Sequence, residues 1–448
     1  MSLHRSTRSL LVGAGAVALA LSLAAGGGPA TAAGPAAVQP VPRPESSAPA
    51  DSPADLRQAP HQGQLRLSAG DTRTIPQRLA AAGADPALGS RVSALVLDAE
   101  TGAVVYQRNP TLALLPASNM KLNTAFVALS SLSHTLRFST QVRTNSARSV
   151  VWLVGGGDPA LSAAAARSMA STTRSALVAK GVRSVAVRVD DSLFPAPTSA
   201  IGWKASYLPG DVAPVRPLVV DGRNVMDTGL DAGATFANEL KRLGIGVTSM
   251  ARGTVVSGAA TLATTSSPYV RSIATQLINS SNNDYAENLH RQSARVNGKG
   301  ATWAAASSHS VATLKARGVI TYGSATYDGS GLSRSDRLTS QNLASLLRRV
   351  HQTPVVHDVL YSSAGMPIAG VSGTLRTRFA TADTSCARGK VKAKTGWLSD
   401  VVSLSGTAYG VDGRLRVFSI IENGAADPTQ ARLAIERFAT AATGCNPS

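Results

Sequence analysis

The chain has 448 residues, enough for two or three domains and a sizeable core, which excludes a peptide hormone or a mini-scaffold. Hydrophobic residues make up 44% and charged residues 16%, a balance that excludes wholesale disorder and a coiled coil rich in Glu and Lys. The net charge of +18 suits an anionic neighbour, but with only nine Lys it fits a general bias toward Arg equally well. No basic stripe interleaved with aromatics, zinc-finger spacing or basic-region heptad points to nucleic acid.

Residues 1–33 run from a basic start (His4, Arg5, Arg8) through an apolar stretch, Leu10 to Ala25, to the small residues Ala30 to Ala33. That order is a secretory signal peptide. The apolar run is shorter than the roughly 20 residues that cross a bilayer, which favours cleavage over a retained anchor. No later window is apolar enough to span, so no stable membrane span is expected after signal cleavage. Residues 34–74 are dominated by Pro, Ala and Ser and read as a linker.

Arg91 to Leu97 and Ala103 to Gln107 read as a hairpin around a Gly-containing turn. A helix follows, with Met120, Leu122, Ala125, Phe126 and Leu129 at helical spacing and Ser118 at its start. Residues 146–263 change character. Short β-type runs at 150–154, 185–189 and 253–256 alternate with helical stretches around 161–180 and 232–243, as in an inserted unit. Helices over 273–276 and 286–292 then flank a polar turn. Strands at 391–397, 401–409 and 415–421 precede a last helix over 429–440. The fold class is α+β: an antiparallel sheet from both ends of the chain (75–145 and 264–448), covered by helices, with one inserted α/β-type domain at 146–263. Cys386 and Cys445, the only cysteines, fit an exported chain whose thiols oxidise as a pair, with two unpaired buried thiols as the alternative.

Inspection removes several chemistries: there is no Gly-x-Ser-x-Gly elbow, Gly-x-Gly-x-x-Gly, Walker loop or His-Glu-x-x-His. The histidines show no spacing that suggests a metal cage or a triad, so a hydrolase here needs another activator. Ser118-Asn119-Met120-Lys121 supplies one, because residues three apart on a helix share a face and bring an amine to a hydroxyl. Held neutral by desolvation, that amine can take the serine proton. One Ser-x-x-Lys is about what chance provides, and a solvated Lys behind an N-cap Ser is the plain alternative. Lys394-Thr395-Gly396 is rarer, with a chance expectation of roughly 0.07, and sits in a predicted strand where Gly allows close approach to the backbone. Ser-x-Asn, offered in two registers by Ser280-Ser281-Asn282-Asn283, means little alone.

Order carries the signal. Pro116 to Lys121, Ser281 to Glu287 (with Asn283), Asp328 to Arg334, Gly373-Thr374-Leu375 and Lys392 to Gly396 together resemble the class C low-molecular-mass penicillin-binding proteins, which are D-alanyl-D-alanine carboxypeptidase/endopeptidases. The resemblance implies a penicillin-binding, serine β-lactamase-like transpeptidase fold. It makes Ser118 the nucleophile and Lys121 the acylation base, with Ser281 and Lys394 as the proton relay to the leaving D-alanine. Asn283 would hold the peptide backbone and Thr395 the terminal carboxylate, and the N–H groups of Ser118 and Trp397 would form the oxyanion hole. Gly396, Leu398 and Ser399 would line the substrate, while Leu332 and Arg334 would meet the stem peptide's third side chain, with Arg334 on a diaminopimelate carboxylate. The implied partners are peptidoglycan stem peptides and, as covalent inhibitors, β-lactams. No metal or organic cofactor is implied, and the location is extracytoplasmic, in the cell wall or secreted. Trp397 departs from the family's usual Thr. A serine β-lactamase and a wall-binding protein with a decayed site are the alternatives.

Overall fold

Strand-rich segments at the two ends of the chain pair with each other, because each presents an apolar face that a lone hairpin cannot bury. A computed structural model describes residues 69–446; the expected signal peptide and all of the expected linker before Ala69 lie outside the described residues. In chain order the elements are α1 (Ala69–Gly83), β1 (Val92–Asp98), β2 (Val104–Arg108), α2 (Met120–Ser131), β3 (Ser139–Thr144) and β4 (Val150–Val154). Then come α3 (Ala163–Val178), β5 (Ser184–Asp190), α4 (Thr228–Arg242), β6 (Gly246–Arg252), β7 (Ala260–Ser266), α5 (Val270–Ser280) and α6 (Asn283–Val296). The chain ends with α7 (Trp303–Ala316), α8 (Ser340–His351), α9 (Pro354–Leu360), β8 (Val391–Leu398), β9 (Val401–Tyr409), β10 (Leu415–Asn423) and α10 (Pro428–Thr443).

The main sheet has the order β2-β1-β10-β9-β8, antiparallel throughout. Its alternating residues feed two cores, as a period of two requires. Phe418 and Ile420 pack with Phe438 and Ile435 of α10 and Leu79 of α1. Val417 and Ile421 face a helical layer centred on α2, whose Leu122, Phe126 and Leu129 are enclosed by α5, α6 and α8. The α+β expectation therefore holds, with helices on both faces. The last residues of the expected linker, 69–74, already belong to α1.

A second, mixed sheet, β6-β5-β4-β3-β7, is drawn from residues 139–266. It is wider than the expected 146–263, because β3 pairs with both β4 and β7. The strand expected at 253–256 is a loop instead: Gly253 N–H still donates to Val189 O at the end of the β5–β6 ladder, but Val255 N–H is taken by the Asp190 Oδ2 side chain rather than by a strand carbonyl. Between β5 and α4 a long irregular arm carries a 3₁₀ turn, Ala205–Tyr207. Trp203 Nε1 of this arm donates to Asp328 Oδ2 at 2.8 Å, and Ser333 Oγ donates to Ile201 O at 2.6 Å, so the arm is fixed to the main body.

Candidate active site

Ser118 lies in a 3₁₀ turn, Ala117–Asn119, that runs straight into α2. Ala117 is left-handed (φ 47°), a strained state for a residue with a Cβ that marks functional turns. The turn is clamped from below. Asn119 Nδ2 donates to Ser403 Oγ at 2.5 Å, and Ser403 Oγ donates to Pro116 O at 2.7 Å, which ties the turn to β9. Gly331 presses on its other side, where a Cβ would lie 1.9 Å from Ala117 O.

One helical turn on, Lys121 is fully buried. Its Nζ lies 2.8 Å from Ser118 Oγ, 2.7 Å from Asn283 Oδ1 and 2.8 Å from Ser330 O. As an ammonium it can donate to all three. As a neutral amine it can still donate to Asn283 and Ser330 while its lone pair accepts from the Ser118 hydroxyl, so the cage fits both states. Burial lowers its pKa to about 8 against the pull of Glu287, Asp328 and Asp284. Glu287 aims the Ser330 carbonyl: its carboxylate accepts from Gly329 N–H at 2.7 Å and Ser330 N–H at 2.8 Å. Burial pushes the Glu287 carboxyl well up.

The second half of the site sits where α5 gives way to α6. Ser281 occupies the C-cap of α5 in a left-handed conformation (φ 60°, ψ 34°), and Asn283 opens α6. Lys394 of β8, also fully buried, donates to Ser281 Oγ at 2.8 Å and to Thr395 O at 2.8 Å. Desolvation, with the like charge of Lys121 second, holds its pKa well below the ordinary lysine value. Asn283 spends its amide within the protein, since Nδ2 donates to Asp211 O at 2.7 Å while Oδ1 accepts from Lys121.

These groups open on one cleft of about 520 Å³. Of the residues read from the sequence, Ser118, Ser281, Asn283, Leu332 and Thr395 line it, as do Trp397, Leu398 and Ser399. Lys121 and Lys394 lie beneath the serines. Gly396 supports rather than lines: a Cβ there would meet Ser403 Oγ at 2.1 Å and Pro116 O at 2.8 Å, so only Gly lets β8 approach the Ser118 turn. Arg334 is not on the lining; its fork is bidentate on Asp400, at 2.8 and 2.6 Å, because that carboxylate stands in the turn after β8. Sequence reasoning missed Lys204, Tyr207 and Asp211, which line the cleft from the irregular arm. Thr374, named from the sequence only as part of a string and given no role, puts its Oγ1 2.9 Å from Thr395 Oγ1 and supplies a hydroxyl that Trp397 lacks. Cys386 and Cys445, outside the cleft lining, are joined in a disulfide.

The family described as D-Ala-D-Ala carboxypeptidase 3 (S13) matches residues 75–228 and 221–442. Carboxypeptidase DacB of Mycolicibacterium smegmatis is 33% identical over 436 residues, covering 91% of this chain and 90% of that protein. The D-alanyl-D-alanine carboxypeptidase of an Actinomadura species is 30% identical over 449 residues, covering 77% of this chain and 80% of that protein. Penicillin binding protein 4 (dacB) of Haemophilus influenzae shares the fold, with a TM-score of 0.71 at 19% identity over 82% of this chain and 97% of that one. With the family match running from α1 to α10 and carrying the serine–lysine pair, the chain belongs to the D-Ala-D-Ala carboxypeptidase 3 (S13) family, the class C penicillin-binding proteins, and is a serine-type D-Ala-D-Ala carboxypeptidase.

Proposed function

We propose that Ser118 is the nucleophile of an exported enzyme that trims peptidoglycan stem peptides and also opens their D-alanine cross-links. The Lys121 amine takes the Ser118 proton as Oγ attacks the carbonyl of the penultimate D-Ala. The developing oxyanion is assigned to the N–H groups of Ser118 and Trp397. Lys394, through Ser281, delivers a proton to the departing nitrogen as the C–N bond breaks, and water then hydrolyses the Ser118 ester. Thr395 and Thr374 offer two hydroxyls to the leaving residue's carboxylate. The stem peptide's third side chain is assigned to the Leu332 end of the cleft, where Lys204 and Asp211 provide one cation and one anion for the zwitterionic end of diaminopimelate. Export is supported by the disulfide, a bond that persists in oxidising compartments, and no helix among the described residues is long and apolar enough to cross a membrane.

The observation that carries this reading is the paired geometry: two serines of the cleft, Ser118 and Ser281, each have a buried lysine amine at 2.8 Å, Lys121 and Lys394 respectively. Intact mass after incubation with labelled penicillin, followed by peptide mapping, is expected to find a long-lived adduct on Ser118. Free D-alanine should be released from a synthetic pentapeptide, and Ser118→Ala should abolish both. An adduct elsewhere, or full activity in that variant, would overturn the assignment; rapid turnover of penicillin would favour a β-lactamase.

A further inference from the structure

We infer that a second binding site, for the acceptor stem peptide of a cross-link, opens from the leaving-group end of the catalytic cleft. The inference rests on the catalytic reading above, which puts the leaving residue's carboxylate at Thr395. Thr374, whose hydroxyl lies 2.9 Å from that of Thr395, lines the cleft and also a second groove of about 540 Å³. Asn279, Ser280 and Ser372 line this groove and, in turn, a third hollow of about 480 Å³ that continues past Gln276. The shared lining residues place the three hollows next to one another in a row.

Its chemistry suits a peptide bearing carboxylates. Hydroxyls and primary amides along the walls can both donate to and accept from peptide groups. No carboxylate lines either hollow, and Arg376 is the one charged side chain among their linings. Arg376 is exposed, and its guanidinium is paired with no carboxylate among the described residues. Free D-alanine would end at Thr395 and make no use of this space. The leaving group of a cross-link does not end there: when Ser118 Oγ replaces the amide nitrogen on the D-Ala carbonyl, that nitrogen departs with its new proton as part of the whole acceptor stem. The stem's amides and further carboxylates must then run past Thr374, toward Arg376.

The full chain is assayed on two synthetic substrates, a sugar-free cross-linked stem-peptide dimer and a pentapeptide monomer, with Arg376→Lys, Arg376→Ala and Arg376→Glu. Losing one exposed charge pair is expected to raise KM for the dimer about fivefold in Arg376→Ala, more in Arg376→Glu and little in Arg376→Lys. Hydrolysis of the monomer and acylation by penicillin should be unchanged in all three. Equal effects on both substrates, or no effect on the dimer, would overturn the peptide site. So would an unaltered enzyme that releases D-alanine from the monomer but leaves the dimer intact. Failure of dimer, monomer and penicillin together would strike the catalytic reading itself, and the site would fall with it.

Discussion

At pH 7 a lysine with its ordinary pKa of 10.5 is neutral in about one molecule in 3000, whereas one lowered to about 8 is neutral in about one in ten. Burial of Lys121 thus raises the reactive fraction by a factor of about 300 before any geometry is considered. The deprotonated form is the base, so the sign follows: acylation should rise about tenfold per pH unit below 8 and level off above it. Stopped-flow acylation by labelled penicillin from pH 6 to 9 checks this, and a flat profile would remove Lys121 as the titrating base. A second residue-scale prediction concerns the pair outside the lining. Arg334 holds the Asp400 carboxyl below its ordinary value chiefly through their hydrogen bonds, so the guanidinium fork is already occupied. Asp400→Asn should free it and lower KM for diaminopimelate peptides several-fold, on the scale of one part-exposed ion pair, while Lys-type peptides change little. Equal effects on the two peptide types would show that Arg334 plays no part in choosing the third residue.

Elements bring these residues together through contacts that admit no extra atom. β8 can lie against the Ser118 turn only because position 396 lacks a Cβ. Gly396→Ala should push the strand off the Asn119–Ser403–Pro116 clamp, costing about 1 to 3 kcal/mol of stability and cutting acylation by more than tenfold. Thermal unfolding and acylation rate measured on one sample test this, and an unaffected rate would mean that the turn is not held from β8. The same elements show why some of the architecture was legible and some was not. α2 and strands β8 to β10 declare themselves through long apolar patterns, and two of the three catalytic strings, Ser118 to Lys121 and Lys394 to Gly396, sit on them or at their ends, while Ser281 and Asn283 sit where α5 gives way to α6. β3 does not, because STQVRT buries its face with a single large apolar side chain, Val142, and so looks polar. Lys204, Tyr207 and Asp211 come from an arm with almost no regular structure, placed by bonds such as Trp203 to Asp328 that span more than a hundred residues. Arg334 looked free for substrate because nothing local predicts its pairing with Asp400, 66 positions away.

Across the whole molecule, catalysis and the C-terminal closure lie on different sides of the main sheet. The helices that carry Ser118, Lys121 and Asn283 cover one face, and α10 covers the other with Ile435 and Phe438. The disulfide joins the 3₁₀ turn Ser385–Ala387, just before β8, to Cys445 at the end of α10. It closes a loop of 59 residues, which by restricting the unfolded chain contributes about 4 kcal/mol. It is not the only tie between these segments. Glu436 of α10 pairs with Arg378 and accepts from Phe379 N–H at 2.9 Å, so the loop before β8 stays docked in the native state without the sulfur bridge. Replacing both cysteines with serine should therefore lower the unfolding free energy by about 2 to 4 kcal/mol, while acylation of the folded enzyme at 25 °C stays within about twofold. Denaturant unfolding and penicillin acylation, measured on the same preparation, separate the two effects. If acylation collapsed while stability held, the bridge would be shaping the strand that presents Lys394 rather than constraining the unfolded chain, and the separation of the two faces would be wrong.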